Sequence, residues 1–210
     1  MLFSNPTPPV FVGILVALVV GITFHEFSHA FVADQLGDHR PRALGRVSLN
    51  PVRHLDPLGA LFFLIAGFGW GKPVPVNAYA LRPGRIGLTM VALAGPVANF
   101  VVAAVVAVFF RILLQAGLLH AEFPNQVVQL IVYFNVALGL FNLIPIPPLD
   151  GYNVVLPLLA PRQQFAVQRY AQYGYIALLL LLVLSYGPGS GPLGWLFGFA
   201  GDIERFMLGA

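Results

Sequence analysis

Long runs of apolar residues dominate the chain and predict helices that cross a membrane. The first run spans 10–33, and no charged residue lies between Val10 and Phe24. About 20 consecutive apolar residues are needed to cross the hydrocarbon core of a bilayer as an α-helix. Three further apolar runs lie at 86–110, 127–149 and 173–186. We therefore predict an all-α polytopic membrane protein with about four transmembrane helices.

The segments between the first two runs predict shorter structure at the membrane. Residues 42–50 alternate between apolar and polar positions, which favours a short strand but equally fits a solvated loop. Residues 58–70 are apolar and glycine-rich but too short to span, which indicates a re-entrant or interfacial segment. Residues 74–77 fit an extended edge, where proline is tolerated. Together they predict a short membrane-associated β or re-entrant segment.

The run at 127–149 ends in a segment that cannot stay helical. Residues 142–151 read Asn-Leu-Ile-Pro-Ile-Pro-Pro-Leu-Asp-Gly, and their prolines interrupt the helix at membrane depth. Irregular backbone is tolerated at that depth only where it is buried in protein or lines a cavity. Asp150 lies in this predicted break. Near the C-terminus, the short apolar piece at 193–200 stays unassigned.

Composition supports the membrane class and limits the chemistry. Of the 210 residues, 58% are hydrophobic and 9% are charged, and the mean hydropathy is +0.82. Soluble domains have about 25% charged residues. No stretch is long and polar enough for a separate hydrophilic domain, so we expect residues 1–210 to form one membrane-embedded domain. Because cysteine is absent, a transition metal would have to be held by His, Asp or Glu.

The positive charges predict the orientation in the membrane. If the first span runs from outside to inside, nine of the eleven cations face the cytoplasm: Arg40, Arg42, Arg46, Arg53, Lys72, Arg82, Arg85, Arg162 and Arg169. Only Arg111 and Arg205 remain outside, which agrees with the positive-inside rule. We predict a multi-pass protein of the plasma membrane. Since the cations are spread along loops between spans, we expect no nucleic-acid partner.

Within the first apolar run, His25, Glu26 and His29 form an H-E-x-x-H motif. On a helix the two histidines lie on one face, about 6 Å apart along the axis. In such motifs both histidines bind zinc and the glutamate is the general base of a metalloprotease. The predicted orientation puts these residues near the cytoplasmic side, at the same depth as Asp150.

The H-E-x-x-H motif is short and also occurs by chance in soluble helices, where its residues only pack. Its place in a membrane span favours function. One acidic residue at that depth costs about 2.5–3.5 kcal/mol on insertion scales. A metal ion and its bound water would offset this cost for all three ionisable side chains. The pattern therefore indicates a metal site rather than a polar packing cluster.

Four motifs, taken in order, resemble the site-2 protease family of intramembrane zinc metalloproteases. They are His25-Glu26-x-x-His29, Asn50-Pro51-x-x-His54-x-Asp56-Pro57-x-Gly59, Gly95-Pro96-x-x-Asn99 and Asn142-x-x-Pro145-x-x-Pro148-Leu149-Asp150-Gly151. The chain is similar to compact members of the family, since it shows neither an inserted PDZ domain nor an appended regulatory domain.

The resemblance implies a site and a reaction. His25, His29 and Asp150 would bind one zinc ion (Zn²⁺) per chain, and Glu26 would be the catalytic base for a zinc-activated water. Asn142 and His54 would lie near the substrate or the oxyanion. The expected activity is hydrolysis of peptide bonds within or near transmembrane segments of membrane-protein substrates, reached from the lipid bilayer.

A membrane metal transporter, or a metal-binding scaffold without catalysis, is the alternative. Transporters also place ionisable residues and broken helices at membrane depth. The sequence, however, has no inverted repeat between its halves. Glu26 and Asp150 are also the only acidic residues in the predicted spans or their breaks, so no chain of acids marks a transport path. The sequence favours the protease.

Overall fold

The computed structural model describes residues 7–66, 69–82, 84–118, 122–185 and 191–209. The helices of these residues, in chain order, are Pro8–Gln35 (α1), Arg40–Ala43 (α2), Pro57–Ala66 (α3), Arg85–Gln115 (α4), Glu122–Asn142 (α5), Asp150–Val155 (α6), Pro161–Tyr170 (α7), Gly174–Ser185 (α8) and Gly194–Leu208 (α9). Short 3-10 turns lie at Pro51–Arg53, Leu156–Leu158 and Ala171–Tyr173.

Among the described residues, four helical segments are long and apolar enough to cross a membrane: Val10–Gln35, Arg85–Gln115, Pro124–Asn142 and Pro161–Ser185. The prediction of an all-α polytopic membrane protein with about four spans is confirmed. The last span differs in detail. With 12 residues, α8 is only about 18 Å long, so a full span requires α7 and the turn that joins it to α8.

The three long helices α1, α4 and α5 pack against one another and form the centre of the molecule. Small residues allow their backbones to come close, as is common between helices in membranes. Gly21 of α1 faces the side chain of Asn135 on α5, and Gly139 of α5 faces Phe100 on α4. Helix α9, in the part of the chain left unassigned from the sequence, joins this core through Ala200 and Leu208.

Two buried aspartates organise the segment that was predicted to be a strand. Arg42 donates to Asp34 at 2.6–3.0 Å, and Arg40 donates to both oxygens of Asp38 at 2.9 Å. These ion pairs turn the chain back toward the end of α1 and hold α2 as one helical turn. The strand prediction for 42–50 is therefore wrong, and the alternative of a loop fits residues 44–50. The alternating pattern reflects arginines that point back to α1.

No strand forms at 74–77 either, so the predicted edge is also wrong. Pro73 and Pro75 have no N–H group to donate to a β-ladder. The segment is fixed by Asp38, which accepts a 2.6 Å hydrogen bond from the Asn77 backbone N–H. Hydrogen bonds from Arg40 and from the Asn77 backbone outweigh burial and lower the pKa of Asp38 to about 2.

The re-entrant or interfacial interpretation of 58–70 agrees with the structure of its described residues; positions 67 and 68 lie outside them. Helix α3 has 10 residues and is about 15 Å long, too short to span a bilayer. Leu55, just before it, forms an isolated antiparallel bridge with Gly71, just after it. Gly59 lies so close to the backbone of Trp70 that a Cβ would collide. The two ends of the segment therefore lie next to each other.

The predicted break after α5 is present. Helix α5 ends at Asn142 and α6 begins at Asp150, with only turns and bends between them. Gly151 packs against the Leu143 carbonyl, where a Cβ would collide with the backbone. Helix α6 then packs on α4. The break therefore places the first residue of α6, Asp150, against α1.

Candidate metal centre

Three side-chain atoms from two distant parts of the chain meet between α1 and α6. His25 Nε2 and His29 Nε2 are 3.1 Å apart, and Asp150 Oδ2 lies 3.0 Å from the first and 3.2 Å from the second. Both histidines are buried, with 6% and 7% of their surface exposed. The predicted group of His25, His29 and Asp150 is thus brought together, and we call it the ligand triangle.

Hydrogen bonds on the far side of each imidazole determine which nitrogen faces the triangle. His25 Nδ1 lies 2.7 Å from Asn99 Oδ1, and His29 Nδ1 lies 2.7 Å from the Val91 carbonyl oxygen. Both oxygens only accept hydrogen bonds, so each Nδ1 carries a proton and donates it. In a neutral imidazole the other nitrogen then has a lone pair. As neutral imidazoles, both histidines therefore offer an Nε2 lone pair to the triangle.

The triangle fits a metal ion by its chemistry and by its size. Asp150 Oδ2 is buried without a hydrogen-bond donor among the described residues. Three electron-rich atoms in mutual contact need a positive charge between them. A proton could bridge only two of the three atoms, whereas a metal ion could bind all three. Tetrahedral zinc with bonds of about 2.0–2.1 Å has its ligand atoms about 3.3 Å apart, close to the observed edges of 3.0–3.2 Å.

Gly95 of α4 forms one wall of the triangle. A Cβ at this position would lie 2.5 Å from His29 Nε2 and 2.7 Å from His25 Nε2. The following residue, Pro96, has no N–H group to donate to the carbonyl oxygen of Ala92 one turn earlier. The sequence Gly-Pro at 95–96 thus brings the backbone of α4 against both imidazoles.

We expect Gly95→Ala to weaken metal binding, by up to roughly 150-fold where the whole overpacking cost of about 1–3 kcal/mol falls on the metal-bound state. The added methyl group would push both imidazoles away from their present positions. The measurement is zinc affinity of the purified protein in competition with a chromogenic chelator. Gly198→Ala is the matched control, since nothing lies within 4 Å of its Cβ position. Equal zinc affinity in both variants would contradict the role of Gly95 as a wall.

Glu26 lies beside the triangle and faces the loops that precede and follow α3. Its side chain is 13% exposed, and its Oε2 is 3.8 Å from Arg46 Nη2. Gly71 leaves room for Glu26, since a Cβ there would be 3.1 Å from Oε1. Arg46 also donates to the Lys72 carbonyl oxygen. Among these contacts, none joins the Glu26 carboxylate to the ligand triangle.

The two weaker site predictions, His54 and Asn142, lie in different settings. His54 is fully buried, and its Nε2 donates to the Ser48 carbonyl oxygen at 2.5 Å. Burial lowers the pKa of this imidazole, and its backbone carbonyl accepts from the Lys72 N–H at 2.7 Å. The Asn142 amide donates to Leu138 O of its own helix at 3.0 Å. Their placement near substrate or oxyanion stays a prediction.

Two polar residues of the site were not assigned a role from the sequence. Arg46 was grouped with the cytoplasmic cations, yet it is 5% exposed and faces Glu26. Periodicity carries no signal for this contact. Asn99 belongs to a motif of the family resemblance and is fully buried against His25. A polar amide in a long apolar run is itself a signal, which could have identified Asn99.

The sequence of this chain is similar to known proteins. A family model described as peptidase family M50 matches residues 112–185. YwhC of Bacillus subtilis (strain 168), by its name a candidate zinc metalloprotease, is 38% identical over 179 residues, which cover 83% of this chain and 81% of YwhC. Rip2 of Mycobacterium tuberculosis (strain ATCC 25618 / H37Rv), which has the same kind of name, is 34% identical over 207 residues. These residues cover 93% of this chain and 77% of Rip2.

Rip2 of Mycolicibacterium smegmatis (strain ATCC 700084 / mc(2)155) is 31% identical over 186 residues, covering 84% of this chain and 70% of the relative. No solved structure matches the chain. The identity and coverage of these relatives, together with the family model and the buried H-E-x-x-H helix, show that the chain belongs to peptidase family M50, the site-2 protease family, and is a metalloprotease.

Proposed function

We propose that this chain is an intramembrane zinc metalloprotease that hydrolyses peptide bonds within or near transmembrane segments of membrane proteins. In this proposal, residues 1–210 act as one membrane-embedded domain. His25, His29 and Asp150 hold one zinc ion, and Glu26 is the general base. The names of the relatives support zinc as the metal. The observation that carries the proposal is that a candidate membrane-spanning helix supplies two of the three residues of the ligand triangle.

The depth of the site follows from its place along α1. The candidate span runs from Val10 to Gln35, and at 1.5 Å per residue His29 and His25 lie about 9 Å and about 15 Å before its end. The hydrocarbon core of a bilayer is about 30 Å thick. The triangle is therefore within reach of a polypeptide chain that itself crosses the membrane. This depth supports transmembrane segments as the substrate class.

The ligand set leaves room for catalysis. Three protein ligands and an open fourth position are typical of catalytic zinc sites. When bound, zinc polarises the scissile carbonyl and makes water a nucleophile near neutral pH. A Glu26 oxygen takes the proton from the attacking water and returns it to the nitrogen of the leaving amine. Because Glu26 is rotated by about 100° from His25 on the helix, its carboxylate can do so without joining the ligands.

The proposed function can be tested on purified protein in detergent. We expect about one zinc ion per chain and cleavage of a model transmembrane peptide. A chelator should abolish the cleavage, and added zinc should restore it. The matched substrate is a soluble, unfolded peptide that contains the same bond. Protein that binds zinc but leaves the transmembrane peptide intact would instead be a metal-binding scaffold, and protein that cleaves without metal would contradict the proposed chemistry.

We also expect the triangle to lie toward the cytoplasmic side, because most cations flank that end of α1. The chain has no cysteine, so single cysteines report orientation directly. Lys72→Cys should react with a membrane-impermeant thiol reagent only after the membrane is opened. Leu118→Cys, 70% exposed beyond the opposite end of α4, should react in intact cells. The reverse pattern would overturn the orientation.

A further inference from the structure

We propose that Asn99 and Asn135 form a two-amide relay that positions His25 for metal binding, so that helices α4 and α5 control a ligand that belongs to α1. This inference rests on the proposed zinc site. It adds residues for which neither the sequence motifs nor the relatives supply a role. In this relay Asn99 is a positioning residue that acts through His25, and Asn135 acts through Asn99.

The hydrogen bonds of Asn99 assign its orientation. Its Oδ1 lies 2.7 Å from His25 Nδ1, while its Nδ2 donates to the Gly21 carbonyl oxygen at 3.1 Å and to Asn135 Oδ1 at 3.0 Å. The two donor bonds place the amide nitrogen away from His25. The oxygen is therefore left to face the imidazole, and His25 can satisfy it only as the Nδ1–H tautomer.

Asn135 completes the relay on α5. Its Nδ2 donates to the Ile131 carbonyl oxygen at 2.8 Å, one turn earlier in the same helix. This bond turns Asn135 Oδ1 toward Asn99. Both asparagines are fully buried, and an unsatisfied amide at membrane depth would cost several kcal/mol. Each amide thus keeps the next one in a single orientation, and the relay ends on the ligand.

A packing role alone is the competing explanation. Polar side chains do join helices in membranes through hydrogen bonds of modest strength. Packing would make Asn99 and Asn135 contribute to stability, with no effect on the metal. A positioning role predicts weaker metal binding as well, since the loss of a hydrogen-bond partner of a metal-bound histidine typically lowers metal affinity by about 10–100-fold.

The test compares Asn99→Leu, Asn135→Leu and the double variant in zinc affinity and in the ligand-field spectrum per bound Co²⁺. We expect Asn99→Leu to bind zinc about 10–100-fold more weakly than the parent and to show a changed cobalt spectrum. Asn135→Leu leaves the His25–Asn99 contact in place, so it should weaken zinc binding less. The double variant should bind no more weakly than Asn99→Leu, because both changes break one chain of contacts.

Val136→Ala is the control for damage to packing. Val136 is fully buried next to Asn135 in the hydrophobic core, so its truncation should lower stability without changing zinc affinity or the cobalt spectrum. If Asn99→Leu does not fold, the zinc affinity and cobalt spectrum of Asn135→Leu, compared with those of Val136→Ala, distinguish positioning from packing. Parental zinc affinity in the asparagine variants would overturn the relay. A parent protein that binds no zinc would instead contradict the proposed function.

Discussion

Glu26→Gln is expected to slow cleavage of a transmembrane substrate by about 10²–10⁴-fold, the usual loss when a general base is removed. The same variant should bind zinc as tightly as the parent. This combination follows from the geometry: the triangle consists of His25, His29 and Asp150, whereas the Glu26 carboxylate faces Arg46 and Gly71. Gln has the same shape as Glu but accepts no proton at neutral pH.

The measurement pairs the cleavage rate with the zinc content of the same sample. Asp202→Asn supplies a matched carboxylate-to-amide control, because Asp202 is exposed on α9 and pairs with Arg205. It should cleave at the parent rate. A Glu26→Gln protein that cleaves normally would rule out Glu26 as the base. A Glu26→Gln protein that loses its zinc would indicate that Glu26 is a ligand.

The sequence identified the ligand triangle because each of its parts carries a local signal. The i, i+4 spacing of His25 and His29 needs only a helix to become a paired site. Asp150 follows a proline-rich break that no transmembrane helix can continue through. The sequence does not predict the path of the chain between α5 and α6. That path depends on the packing of α6 on α4 and on the small size of Gly151.

The failed strand predictions have a physical cause. Alternation over nine residues cannot distinguish a strand from a turn when charged side chains can reach outside the segment. Within 42–50, Arg42 pairs with Asp34 and Arg46 faces Glu26, both on α1. These contacts outweigh a weak β preference. Arg46 shows the same effect at the site. Its contact with Glu26 spans elements that no local pattern connects.

Asp150→Ala is expected to reduce zinc affinity by more than the 10- to 100-fold typical of losing an outer partner of a ligand. In the proposed zinc site, the carboxylate supplies one of three ligand atoms and the only negative charge. Without it, two neutral imidazoles remain on α1. The measurement is bound zinc per folded protein, after titration of the apoprotein in competition with a chelator.

Two comparisons make the Asp150 result decisive. Asp202→Ala removes an exposed carboxylate and should keep parental zinc. Asp150→Asn retains an oxygen at the same position without the charge, and it should lie between the parent and Asp150→Ala. Full zinc occupancy in Asp150→Ala would rule out Asp150 as a ligand and leave it as the first residue of α6 after the break. The triangle would then be an ion pair between Asp150 and a protonated histidine, whose Nδ1–H would donate to the same oxygen as it does here.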